Sequence, residues 1–262
     1  MYGAILGDIA GSRIEFSRPK GFDHKREPLF VGACRFTDDT VLTVATKYAI
    51  LNNISYAKAY NMFGKKYRKA GFGNMFQEWL DNNSRKGYKS FGNGAAMRVS
   101  FIGNYFNTLE EVHYQAELSA SCTHDHERGT VASKATAGMI FLAKNGHDKK
   151  DIKKYLKANY NYSINKPLFM YRPTSKFDPT ADATMPIVIR CFLESKSWED
   201  CMRKAFSIKC DTDTVCCIAG GIAEAYYKKT GMDDIRILER YLIKPDDNGN
   251  MDRFLFEWAT KK

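Results

Sequence analysis

At 262 residues, with 44% hydrophobic and 13% aromatic side chains, the chain can bury a sizeable core and suits one domain or two small ones. It holds no apolar run of about 18 residues, and Met1–Asp8 carries no basic leader, so neither a membrane span nor a secreted precursor is expected. The net charge of +10 comes largely from lysine pairs at 65–66, 149–150, 153–154, 228–229 and 261–262; these read as solvated helix faces, and no nucleic-acid motif accompanies them.

Gly3, Gly7 and Gly11 recur every fourth residue of an apolar opening, so they share one helix face and let another backbone come close. Asp8 and Glu15 lie two turns apart and fall roughly on one face as well. Glu15 reads either as a surface acid at a helix end or as a member of one site with Asp38. Residues 17 to 35, broken by Pro19, Gly21, Pro28 and Gly32, read as a loop with a short strand near Phe30-Val31. Phe36-Thr37-Asp38-Asp39-Thr40 then opens an amphipathic helix over 38 to 52. Ser55 caps a second helix running to Lys69, Gly71-Phe72-Gly73-Asn74 breaks it, and a short helix follows over 75 to 80.

The stretch from Gly87 to Val99 is a loop of small residues leading into an Ala-rich helix start. Its backbone N–H groups can cradle a phosphate, or it is a plain turn. Thr108-Leu109-Glu110-Glu111 is a capping box for a helix to Cys122. Thr123-His124-Asp125-His126 interrupts the pattern before a long helix over 127 to 145, stopped by Gly146. A Lys-rich helix over 148 to 160 is capped by Asp148 and Asp151. The connection over 161 to 181, with Pro167, Pro173 and Pro179, has the length of a binding loop. Helices over 182–193, 198–207, 213–230 and 233–242 complete the set. Period-2 runs, repeats and linkers are missing, so one all-α domain over 1–262 is predicted, with its sites on helix ends and loops. The seven cysteines, odd in number and without C-x-x-C spacing, are expected as reduced core thiols of a cytoplasmic protein, with no zinc site.

Cys210-Asp211-Thr212-Asp213-Thr214 echoes the Thr37–Thr40 stretch, and each precedes a long apolar helix. Either alone reads as a capping cluster, since Thr and Asp suit a helix N-terminus. Brought together, four carboxylates repel unless a cation lies between them, and a hard divalent ion takes such an all-oxygen set.

Several pieces together resemble the ADP-ribosylglycohydrolase family. They are Gly7-Asp8-Ile9-Ala10-Gly11-Ser12-Arg13-Ile14-Glu15, Phe36-Thr37-Asp38-Asp39-Thr40, Gly92-Asn93-Gly94-Ala95-Ala96-Met97-Arg98, Thr123-His124, Met185-Pro186 through Phe192-Leu193-Glu194, and Asp211-Thr212-Asp213-Thr214 through Tyr226-Tyr227. They follow the family's order and span nearly the whole chain. The resemblance implies a compact, orthogonal all-α domain with a centre of two Mg²⁺ ions, Mn²⁺ being the alternative. It implies Thr37, Asp38, Asp39, Asp211, Asp213 and Thr214 as ligands, and Glu15 and Asp38 as catalytic groups, either of which could be the base. It places ADP-ribose against Ser90, Phe91, Gly92, Asn93, Gly94 and His124. The implied activity is hydrolysis of the bond from ADP-ribose to an acceptor, such as an arginine of a modified protein, by a monomer with no membrane or nucleic-acid partner. Phe177 and Pro179, in the loop of residues 172 to 181, are candidate adenine or distal-ribose contacts. Lys209-Cys210 departs from the Gly-Gly usual before the downstream acid and could crowd the ribose. A non-catalytic ADP-ribose-binding module and a hydrolase of ADP-ribosylated nucleic acid are the alternatives.

Overall fold

Two helices from opposite ends of the chain cross backbone to backbone. In the computed structural model, which describes residues 1–246 and 249–262, these are α1 (Tyr2–Gly11) and α12 (Thr212–Tyr227). The glycine face of α1 makes the crossing. A Cβ at Gly7 would stand 2.1 Å from the carbonyl oxygen of Cys216, and one at Gly3 2.6 Å from that of Gly220. One at Gly11 would stand 2.6 Å from the carbonyl oxygen of Thr212, and Gly220 returns the fit, 2.2 Å from that of Gly3. Both helices are buried along most of their length, so each apolar residue beside these glycines packs on all sides.

Around this pair lie α2 (Asp38–Leu51), α3 (Tyr56–Lys66), α4 (Asn74–Asp81), α5 (Gly94–Met97), α6 (Ser100–Tyr105) and α7 (Leu109–Ser121). The rest are α8 (Glu127–Lys144), α9 (Lys149–Asn159), α10 (Ala181–Glu194), α11 (Trp198–Phe206), α13 (Asp234–Leu242) and α14 (Phe254–Thr260). The fold is all-α as expected. The one ladder among the described residues pairs Lys244–Pro245 with Met251–Asp252. Among those residues no helix is long and apolar enough to cross a membrane. All seven cysteines are free thiols, six of them buried.

The caps explain the helix starts. Ser55 accepts from Lys58 N at 3.3 Å and Thr108 from Glu111 N at 3.2 Å, while Asp148 accepts from Lys150 N and Asp151 N at 2.7 and 2.9 Å. The strand expected at Phe30-Val31 does not form. Cys34 N binds the Val31 carbonyl at 2.9 Å in a turn, and Tyr241 Oη donates to the same oxygen at 2.8 Å, so no second strand can use it. Lys149 is likewise no solvated lysine, since its ammonium donates to Tyr227 Oη at 2.9 Å and to the Leu193 and Ser195 carbonyls at the C-terminal end of α10. The helices α6 and α14 and the two-residue ladder were not anticipated.

Candidate active site

The N-terminus of α2 is built on a carboxylate from α1. Asp8, buried with no cation beside it, accepts from Thr37 N at 2.9 Å, Thr37 Oγ1 at 2.7 Å, Thr40 N at 3.1 Å and Thr40 Oγ1. Burial pushes its pKa up and these donors pull the other way. Thr37 also caps the helix, accepting from Asp39 N at 3.3 Å. Asp8 thus aims the Thr-Asp-Asp stretch, a role that sequence reasoning missed. The signal was present: an acid in an otherwise apolar helix one residue after a close-packing glycine.

The crossing of α1 over α12 brings the second acidic stretch to the first. Thr214 Oγ1 donates to Asp39 Oδ2 at 3.2 Å, joining residues 175 apart in sequence. Glu15, just past the short 3-10 turn that follows α1, offers a carboxylate oxygen within 4.8 Å of those of Asp211 and Asp213. Asp213 accepts from Thr214 N at 2.9 Å, and Asn93 Nδ2 holds Asp211 Oδ2 at 2.8 Å and Thr184 Oγ1 at 3.0 Å. The other oxygen of Asp39, Oδ1, is buried with no hydrogen-bond partner.

The electrostatics follow from crowding acids in a poorly solvated place. Burial, then the neighbouring Asp211, pushes Glu15 up to about 7. Burial and Asp8 push Asp38 up to about 8. Asp39 and Asp213 are raised well above the usual carboxylate range, and Asp211 is raised as well, in each case chiefly by burial. Such a set is costly without positive charge and suits a hard divalent cation.

These acids floor a cleft of about 440 Å³, which Glu15, Asp38, Asp39, Asp211, Asp213 and Thr214 line together. No lysine or arginine is among the described residues lining it. Ser90, Gly92, Asn93, Gly94 and His124 line the same cleft. Gly92 pairs with Thr180 in an isolated bridge, and Asn93 N binds the Pro179 carbonyl at 2.9 Å, which seats the glycine loop on the 161–181 connection. Gly92 N is taken by Ser90 Oγ at 3.2 Å, and Ala96 N and Met97 N by the Asn93 carbonyl at 2.8 and 3.2 Å. The expected amide cradle therefore narrows to Gly94, since Ala95 is buried and does not line the cleft. Gly94 is small because His124 is there: a Cβ would stand 3.0 Å from its Nε2.

Two expected site residues stand elsewhere. Phe91 does not line the cleft; its ring packs on His126 at 5.7 Å, and its carbonyl accepts from Ala181 N at 3.0 Å. Thr37 lies behind the acids, bonded to Asp8. Phe177 and Pro179 do line the cleft, and Phe177 meets Phe16 with ring centroids 5.4 Å apart, both rings being exposed. Phe16 was missed, although an exposed aromatic beside Glu15 was its signal. Lys209 is exposed, Cys210 is buried, and neither lines the cleft, so they do not crowd it.

Comparison with known proteins agrees with this arrangement. The family model described as ADP-ribosylglycohydrolase matches residues 1–241. The ADP-ribosylhydrolase ARH3 of Mus musculus is 24% identical, over 89% of this chain and 83% of its own. The ADP-ribosylarginine hydrolase Tri1 of Pseudomonas putida is 23% identical, over 88% of this chain and 70% of its own. A solved structure titled ADP-ribosylglycohydrolase-related protein complex superposes with a TM-score of 0.70 at 20% identity, covering 91% of this chain and 89% of that one, a likeness of fold.

Proposed function

The chain belongs to the ADP-ribosylglycohydrolase family, and from that premise we propose that it hydrolyses the glycosidic bond between ADP-ribose and an arginine side chain of a modified protein, in a Mg²⁺-dependent reaction. The observation that carries this reading is the meeting of two remote acidic stretches, Asp39 against Thr214, on the floor of one cleft.

The residues fit a metal centre. Asp39 Oδ1 lacks a partner, the oxygens of Glu15, Asp211 and Asp213 converge within 4.8 Å, and every donor is a carboxylate or hydroxyl oxygen. Asp38, Asp39, Asp211, Asp213 and Thr214 would hold two Mg²⁺ ions, or Mn²⁺ in their place, with Thr37 behind them bonded to Asp8. Glu15 stands close enough to Asp211 and Asp213 to join them as a ligand. When bound, such ions orient the ribose hydroxyls and acidify a water.

The chain's own groups supply the rest. Cleavage at the ribose C1″ passes through an oxocarbenium-like state and needs a base to take a proton from the attacking water. Glu15 and Asp38 both line the cleft, and either, once ionised beside bound cations, would take that proton. The Gly94 amide and His124 line the wall on which the diphosphate would lie. Phe16 and Phe177 offer apolar faces at the mouth for the adenine. Arginine as the acceptor is supported by the cleft's lack of a cationic lining residue and by the arginine hydrolase among the relatives. The binding-module reading rested on Lys209-Cys210, which stand outside the cleft, so hydrolysis is preferred.

ADP-ribosylated arginine peptide, incubated with and without Mg²⁺, tests this. Expected is Mg²⁺-dependent release of ADP-ribose, reduced at least a hundredfold in Asp38→Ala. Binding of ADP-ribose without release from arginine, serine or acidic acceptors would leave a binding module instead.

A further inference from the structure

Behind the glycine loop lies a buried cation that no carboxylate accompanies. Arg98, at the C-terminal end of α5, is fully buried. Its guanidinium stands 4.4 Å from the centroid of the Tyr60 ring. Its Nη2 donates to the Ser119 carbonyl at 2.5 Å and to Thr123 Oγ1 at 2.8 Å, while Nε and Nη1 have no hydrogen-bond partner. The buried guanidinium thus sets a positive field behind the glycine loop.

Thr123 has one proton to give. Its nearest backbone acceptor, the Ala120 carbonyl at 3.4 Å, already accepts from Thr123 N at 3.0 Å and His124 N at 2.7 Å. Both lone pairs of that carbonyl are spent. Cys122 Sγ is a weak acceptor beside it, and the strong acceptor within reach is His124 Nδ1, 2.8 Å from Oγ1. Thr123 thus accepts from Arg98 and donates to Nδ1, and an imidazole that accepts at Nδ1 carries its proton at Nε2. Nε2 is the nitrogen that faces the glycine loop, 3.0 Å from a Cβ built at Gly94 and 3.6 Å from one at Gly92.

We propose that Arg98, acting through Thr123, locks His124 in its neutral Nε2–H tautomer, so that this wall presents a fixed hydrogen-bond donor to an anionic oxygen of a nucleoside-diphosphate sugar. Arg98 and Thr123 are positioning residues, since neither lines the cleft. The opposite tautomer would aim a lone pair at the phosphate oxygens. Burial, then the Arg98 charge, holds the imidazolium form off, with the pKa of His124 well below its ordinary value. The ligand half of the proposal rests on the function argued above; the tautomer half does not.

Long-range ¹H–¹⁵N correlation of the histidine rings reads the tautomer directly. In ¹⁵N-labelled protein His124 is expected to show a protonated Nε2 and a bare Nδ1, and Thr123→Ser to keep that signature. Thr123→Val removes the donor to Nδ1 and should give a mixed tautomer, with the ADP-ribose dissociation constant raised about fivefold to tenfold. Arg98→Met should give the same mixture; if it does not fold, the Thr123→Val spectrum decides. A wild-type ring protonated at Nδ1, or a signature unchanged in Thr123→Val, overturns the relay. Should the ring behave as expected while ADP-ribose does not bind, the functional reading fails and the relay stands.

Discussion

Gly7→Ala tests whether the acidic site depends on the glycine crossing. The added methyl carbon would lie 2.1 Å from the Cys216 carbonyl oxygen and 2.5 Å from its carbon, against the 3.0 Å below which real contacts essentially do not occur. The obstacle is backbone in a buried helix, so no side chain can swing away, and α1 must move off α12 by at least 0.9 Å. Overpacking of this kind costs about 3 kcal/mol, or roughly 6–12 °C in Tm for a chain of this size. The same displacement carries Glu15 away from Asp211 and Asp213, and a divalent ion with tight ligand distances should bind at least about tenfold more weakly. Differential scanning calorimetry and titration calorimetry with Mg²⁺ read the two effects. Gly32→Ala is the control, since nothing lies within 4 Å of its Cβ. A Gly7→Ala protein with wild-type Tm and wild-type ion affinity would refute the idea that this crossing sets the site.

Asp8→Asn replaces one acceptor oxygen by an amide that cannot accept from the donors of Thr37 and Thr40. A loss of about 3 kcal/mol is expected in thermal melts, and a change under about 2 °C would show that Asp8 does not hold the α2 N-terminus. The acids also predict how metal-free stability depends on pH. Glu15 ionises at about 4.5 in the unfolded chain and about 7 in the folded one, so between those values the folded state keeps a proton that the unfolded state has lost. Stability therefore falls as pH rises through that window, on the order of 2 kcal/mol from Glu15 alone after solvent screening is allowed for. Mg²⁺ competes with these protons, so the rise in Tm that it produces should be larger at pH 8 than at pH 5; equal rises would contradict a site made of these carboxylates.

Most helix starts were legible because each carries its own cap: Ser55, Thr108 and Asp148 all accept the backbone donors that their sequence positions implied. The glycine face of α1 was legible too, because a four-residue spacing has one geometric meaning on a helix. What was hidden depended on partners distant in sequence. The short helices α6 and α14 have too few residues to show a period. Phe91 was expected in the site, yet the direction of its ring is set by the bridge of Gly92 with Thr180, which loop composition does not encode. Asp8 was visible as an acid on the Glu15 face, but only the tertiary structure shows that it turns onto α2 while Glu15 meets Asp211 and Asp213.

The charge of this cleft is itself conditional. On a chain of net charge +10, lysines and arginines are missing from the described lining, while five carboxylates floor it. At neutral pH a metal-free floor does not carry five full negative charges, because burial and mutual repulsion raise all five acids, Glu15 to about 7 and Asp38 to about 8. Protons and divalent ions are thus alternative means of compensating the same oxygens. On the proposed reading a doubly charged diphosphate meets a nearly compensated floor in either state, and the chain's net charge of +10 favours its approach. Ion binding displaces those protons, so on the proposed reading turnover is tied to metal loading more tightly than ligand binding is. Calorimetry at pH 7 without Mg²⁺ should accordingly show ADP-ribose binding weakened, while product formation is lost.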